Sequence, residues 1–290
     1  MEKFKGTGVA MVTPFNTDES IDFIGLKKLI DHLIDGGVDY LVVLGTTGET
    51  ATLTKNEKQQ VFQAVADANH GRVPLVAGLG GNFTAEVVEA VSNFKIVGYE
   101  AILSVSPYYN KPTQEGIYQH YKAVAEASNL PIIMYNVPGR TGSNMLPSTT
   151  LRLAQVDNII GMKEACGNME QIMAIIKDRP KGFLVISGDD LLTQPIIMAG
   201  GDGVISVVGN VAPKIFSNMV RFAMAGNMKS SQINHYKLFD LTNLLFSEGN
   251  PGGVKAALKH LGLMEERMRL PLIEVSDNTR SGIINIVKTL

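Results

Sequence analysis

IIGMKEACGN, residues 159–168, opens as a buried β-strand: Ile159, Ile160 and Met162 are apolar, and the run is too short for a typical helix. Lys163 then falls near the end of that strand, where burying an unpaired ammonium is expensive. Runs of the same kind recur along the chain: GVAMV (8–12), YLVVL (40–44), VPLVAG (73–78), EAILSVS (100–106), PIIMYN (131–136), FLVIS (183–187) and GVISVV (203–208). Each is bounded by Gly, Pro, Asn or Thr. Between them lie stretches at helical spacing. Leu26, Leu29, Ile30 and Leu33 share a face that ends at Gly36-Gly37, and Thr54 with Glu57 has the form of a capping box. Val87, Val88, Val91 and Phe94 make another stripe, as do Ile117, Tyr121 and Val124. Continuously apolar strands alternating with helices predict a parallel sheet covered by helices. So many units in succession predict an α/β chain closed into a (β/α)8 TIM barrel. An open doubly wound sheet is the alternative, but neither GTTGET (45–50) nor GLGGN (78–82) matches a nucleotide-binding turn. Residues 213–225, 229–247 and 252–264 read as helices with no further strand. We therefore expect a catalytic barrel over 1–225 and a C-terminal helical extension over 226–290.

The bulk numbers agree. Of 290 residues, 45% are hydrophobic and 19% charged, enough for one large core. The net charge of −2 gives no reason to expect a nucleic-acid partner. Cys166 is the single cysteine, so no intrachain disulfide can form. MEKFKGTGVAMVTPF has only a short apolar run before Pro14, so neither a signal peptide nor a membrane span is expected, and the expected location is cytoplasmic. His32, His70, His120, His235 and His260 lack metal-ligand spacing, and no metal is expected.

In a barrel strand, side chains alternate between the interior and the helix layer. With Lys163 inside, Gly161 and Ile159 face inside too, while Met162 and Glu164 face out. Lys163 then lies at the C-terminal end of its strand, where barrel enzymes keep their chemistry. An ordinary lysine presents a free amine in only about one molecule in a few thousand at pH 7. Desolvation at an apolar barrel mouth lowers that barrier, and a free amine forms an imine with a carbonyl. The alternative is a structural lysine paired with a carboxylate. Other strand ends supply companions. Tyr135 shares a face with Ile133 and can move protons beside strand six, or simply pack at the rim. Thr46 and Thr47, between Gly45 and Gly48, suit a small carboxylate, or a turn and cap. Pro107-Tyr108-Tyr109 forms a rigid aromatic loop, and Gly188-Asp189-Asp190 reads as a helix cap rather than an acid pair.

Taken together, GTTGET (45–50), SPYYNKP (106–112), YNVPGRTG (135–142), GMKEACGN (161–168), SGDD (187–190), GVISVVGN (203–210) and NPGGVKAAL (250–258) occur in the order found in the pyruvate-dependent class I aldolase superfamily. The whole chain resembles that superfamily, and within it the dihydrodipicolinate synthases most. The resemblance implies a lyase that condenses pyruvate with L-aspartate 4-semialdehyde on the route to diaminopimelate and lysine. It implies Lys163 as the Schiff-base residue and Tyr135, Thr47 and Tyr109 as a proton relay, with Tyr109 entering from a neighbouring subunit. It implies Thr46 and Thr47 on the pyruvate carboxylate, Gly188 and Ile205 lining the lysine pocket through the backbone, and Arg140 on the second substrate. It implies no cofactor and a homotetramer built as a dimer of dimers. For a possible L-lysine effector the matching positions are Thr50, Ala51, Lys55, Lys58, Asn82, Glu86 and Tyr108, with Lys55 and Lys58 standing where sensitive members carry histidines. N-acetylneuraminate lyase is the rival within the superfamily; Arg140 and Thr46 follow the synthase pattern. A non-catalytic barrel is the rival from another class. Gly252-Gly253 departs from the Ile-Pro common in relatives.

Overall fold

A computed structural model describes all 290 residues. Eight parallel strands close into a barrel in sequence order. They are β1 (Gly6–Ala10), β2 (Tyr40–Val43), β3 (Leu75–Gly78), β4 (Tyr99–Val105), β5 (Ile132–Asn136), β6 (Ile159–Glu164), β7 (Leu184–Ser187) and β8 (Gly203–Ser206). The helices that follow them are α1 (Phe23–Asp35), α2 (Lys55–Asn69), α3 (Thr84–Ser92), α4 (Gln114–Ala127), the short α5 (Pro138–Thr141) with α6 (Pro147–Leu153), α7 (Met169–Asp178), α8 (Thr193–Met198) and α9 (Pro213–Met224). The capping box at Thr54 and Glu57 opens α2 as expected. Three more helices complete the chain: α10 (Met228–Phe246), α11 (Gly252–His260) and α12 (Asp277–Val287). The last was not legible in the sequence, since only Thr279 and Ile283 of it are buried and its apolar stripe is thin.

The chain turns two apolar layers inward. The larger lies between strands and helices and contains Leu29, Leu41, Leu75, Ile102, Met134, Met162 and Val185. The smaller fills the barrel itself with Ala10, Val42, Val76, Leu103, Ile133, Leu184, Ile186 and Ile205. Tyr40 occupies the interior so fully that a Cβ on Gly8 would lie 2.2 Å from its ring, and Phe4 closes on that ring edge-to-face. The interior is therefore packed, and open space is left only at the mouth.

Two strand readings need correction. The apolar run at 8–12 leaves the ladder after Ala10: the Met11 N–H makes a last bond to Val42 O on β2, and the Val12 N–H turns to Asn210 Oδ1. On β6 a bulge breaks the alternation: Ile132 pairs with Ile159, but Ile133 pairs with Gly161. Ile159 consequently packs in the helix-facing layer and Ile160 against the barrel interior, the reverse of the simple alternation. Gly161 still faces inward, and the volume it leaves is taken by Leu184, whose Cβ would lie 2.7 Å from a Cβ at 161.

Candidate active site

Beyond the bulge the register places Lys163 between Tyr135 on β5 and Ile186 on β7. Lys163 is buried, and its Nζ lies 4.4 Å from the centroid of the Tyr135 ring. Gly188 makes room for it, since a Cβ there would meet Lys163 Cε at 2.9 Å and Ala165 Cβ at 2.7 Å. Burial pulls the Lys163 ammonium down to about 8; Asp190 opposes that pull and Arg140 adds to it. About a tenth of the molecules then carry a free amine at pH 7, against roughly one in a few thousand for an unperturbed lysine. Glu164 points the other way, into the helix layer. Its carboxylate accepts from Asn136 Nδ2 at 2.9 Å, Gln171 Nε2 at 3.2 Å and the Cys166 N–H at 2.9 Å.

Lys163, Tyr135, Thr46, Thr47, Arg140 and Gly188 line one cavity of about 620 Å3 at the C-terminal mouth of the barrel. Burial pushes the Tyr135 phenol up to about 12, while Arg140 and the Thr46 hydroxyl draw it back. A phenol so placed stays protonated and can donate. Tyr121 fixes the strand end by donating its hydroxyl to Ser104 O at 2.9 Å and receiving the Tyr135 N–H at 3.3 Å. Thr47 is buried and accepts from Asn250 Nδ2 at 3.0 Å, so its own proton remains free for another acceptor. Ile205 belongs to the interior packing and stops short of the cavity wall, where Val207 stands instead. Tyr109 lies outside its own chain's cavity, 83% exposed at a φ of +77°.

The strand-two loop is clamped from the C-terminal helices, which sequence reasoning missed. Glu49 pairs with Lys255 of α11 at 2.5 Å, both side chains fully buried. Lys255 also donates to Arg267 O at 2.8 Å and lies 4.2 Å from the Phe15 ring centroid. Arg269 adds its N–H to Glu49 and its guanidinium to Glu57. Thr242, Asn243, Phe246, Ser247 and Asn250, from the end of α10 and the turn beyond it, wall the cavity. The polar NPGG turn at 250–253 was the signal for this. Gly253 itself is required by packing, since a Cβ there would lie 2.7 Å from Leu245 O on α10. Asp189 is not the expected helix cap: it closes the turn before α8 by accepting from the N–H groups of Leu191 and Leu192, and the helix begins only at Thr193, with no side-chain bond at its N-cap Leu192. Asp190 is no cap either: it is buried on the cavity wall.

A second cavity, of about 360 Å3, is lined by Thr50, Lys55, Lys58 and Glu86 and shares Gly45, Thr46, Leu103 and Tyr135 with the first. Ala51, Asn82 and Tyr108 are not on its wall. Burial, and then Lys55, lower the Lys58 ammonium. No helix is long and apolar enough to cross a membrane.

Residues 3–290 match the model of the dihydrodipicolinate synthetase family. The chain is 55% identical to the 4-hydroxy-tetrahydrodipicolinate synthase of Flavobacterium psychrophilum over 291 residues, covering 100% of this chain and 99% of the relative. Its fold superposes with a TM-score of 0.95 on the chloride-inhibited dihydrodipicolinate synthase of Acinetobacter baumannii complexed with pyruvate, at 42% identity and 98% coverage of both chains. The lysine-bound enzyme of Cyanidioschyzon merolae superposes with a TM-score of 0.95, at 37% identity and 99% coverage of both.

Proposed function

The chain belongs to the dihydrodipicolinate synthetase family and has the activity of a 4-hydroxy-tetrahydrodipicolinate synthase, a lyase of the diaminopimelate route to lysine; on that premise we propose how its own residues carry the reaction. The free amine of Lys163 attacks C2 of pyruvate. The carbonyl oxygen takes protons and leaves as water, and the nitrogen becomes an iminium. Loss of a C3 proton gives the enamine, whose C3 attacks the aldehyde carbon of L-aspartate 4-semialdehyde. The amine of that substrate then attacks C2 and displaces Lys163, closing the ring. One water is lost over the cycle. The observation that carries this reading is a buried amine at the barrel mouth, lowered to about 8 by its own burial.

Thr46 and Thr47 hold the pyruvate carboxylate, and Gly188 lines the lysine pocket through its backbone, with Ile205 in the packing below the cavity. Tyr135 gives and takes the protons at the C2 oxygen, passing them through Thr47 to Tyr109 of a second copy of the chain. The exposure of Tyr109 and its positive φ, unusual for a bulky residue, support a side chain held outward for a partner. We take the assembly to be a homotetramer, a dimer of dimers, working in the cytoplasm. Residues 1–225 act as the catalytic barrel and 226–290 as the extension that walls and clamps its mouth. Arg140, exposed at the rim, takes the carboxylate of the semialdehyde. L-lysine is proposed as the occupant of the second cavity, with Glu86 on its α-ammonium and Thr50, Lys55 and Lys58 around it, while Ala51, Asn82 and Tyr108 lie off that wall. The lysine-bound relative supports that assignment, and the wall shared with the active cavity supplies a route for inhibition.

The direct test is to mix the protein with pyruvate and L-aspartate 4-semialdehyde and follow loss of both. Stoichiometric consumption is expected. Condensation of pyruvate with N-acetylmannosamine in preference to the semialdehyde would overturn the substrate assignment.

A further inference from the structure

One ionisable side chain on the cavity wall takes no part in the steps above. Asp190, in the turn after β7, is buried. It receives a hydrogen bond from the Ser206 hydroxyl and another from the Val207 N–H at 3.1 Å, both at the end of β8. These donors are neutral, and a buried carboxylate is held at low cost only where a cation faces it. The ionisable groups around it are few. Lys163 from β6, Arg140 from beyond β5, Tyr135 from β5 and its neighbour Asp189 share the cavity wall, while Glu164 faces the opposite side of β6 among Asn136 and Gln171. Asp189 spends its carboxylate on the N–H groups of Leu191 and Leu192. The stem of Lys163 runs against Gly188, in the same turn that carries Asp190.

Resting on Lys163 as the imine-forming residue, we infer that Asp190 is a positioning residue for charge: it is the fixed counter-anion of the Lys163 nitrogen, stabilising its ammonium at rest and its iminium once pyruvate is bound. The nitrogen is cationic, then neutral while it attacks C2, then cationic again as water departs. On a wall where the nitrogen is itself buried, each cationic state is stabilised by an anion that does not have to move. Asp190 and Lys163 each favour the charged form of the other. Burial pushes the Asp190 carboxyl up to about 6, with Ser206 and Val207 pulling it back, so it is anionic at and above neutral pH.

Asp190→Asn keeps an oxygen for Ser206 and the Val207 N–H and removes the charge. Lys163 should then hold its proton less tightly. The rate of pyruvate labelling, trapped with cyanoborohydride and read by intact mass across pH, should rise about one pH unit earlier than in the wild type. Ser206→Ala removes a donor that keeps Asp190 ionised, and should move the same limb in the same direction by less. Should Asp190→Asn fail to fold, Ser206→Ala carries the test alone. A limb that stays in place or moves to higher pH, in a folded variant that still labels, overturns the inference. A wild-type protein that gains no pyruvate mass instead sinks the assignment of Lys163, so the two failures are separable.

Discussion

Replacing Lys255 by methionine should cost about 3–5 kcal/mol of folding stability at pH 7, because removing one partner of a buried ion pair strands the other charge. The geometry sets this scale. Glu49 and Lys255 approach to 2.5 Å with both side chains fully buried, and after the change Glu49 keeps only the Arg269 N–H at 3.3 Å. Arg267 O also loses its donor. Against a typical total of about 5–15 kcal/mol, the loss is large. Lys255→Met combined with Glu49→Gln should recover most of it, since two neutral side chains leave no charge unpaired. Denaturant midpoints at pH 7 for the wild type, both single variants and the double variant give the coupling directly. The pyruvate KM of Lys255→Met should also rise, because Glu49 anchors the loop that carries Thr46 and Thr47. A deficit below about 1 kcal/mol would overturn the buried-pair reading, since that is the behaviour of a solvated pair.

Arg140→Ala should lower kcat/KM for L-aspartate 4-semialdehyde by roughly ten- to a hundredfold, the value of a charge-assisted carboxylate contact. Pyruvate labelling of Lys163 should change little; its collapse in that variant would mean that Arg140 organises the whole cavity. Activity should fall on dilution together with the oligomer, because Tyr109 stands outside its own chain's cavity; a fully active monomer in sedimentation paired with rate measurements contradicts that. Millimolar L-lysine, with D-lysine as control, should slow the initial rate, and Glu86→Ala should abolish the effect; an unchanged wild-type rate removes the effector from the second cavity.

The barrel was legible because its strands are buried on both faces and read as continuous apolar runs, which local sequence displays directly. Lys163 was legible for the complementary reason, that a lysine ending such a run contradicts its surroundings. The bulge on β6 was not, because a shift of register depends on pairing with β5 and leaves Ile159 and Ile160 chemically alike. The Glu49–Lys255 clamp was hidden by distance along the chain: neither residue is unusual among its neighbours, and only closure of the C-terminal helices over the mouth brings them together. Asp190 was misread with Asp189 as a cap, since two adjacent acids after a strand look alike until one is buried and the other is not. Asn250 was quoted only as part of a motif, although it reaches Thr47 from 203 positions away along the chain. Sequence thus exposed the residues whose oddity is local and concealed those whose role lies in a distant partner.

The assignment of Lys163 as the nucleophile is decided by reducing the protein with cyanoborohydride in the presence of pyruvate and mapping the label by peptide mass. One reduced pyruvate per chain is expected, on Lys163, formed at a rate that climbs with pH through about 8 as burial allows the free amine to appear. Lys163→Ala should take no label and lose turnover by about a hundredfold or more, since the nucleophile is gone. Lys163→Arg should do no better, because a guanidinium stays protonated. Label on a different residue, or near-normal turnover in either variant, would contradict it.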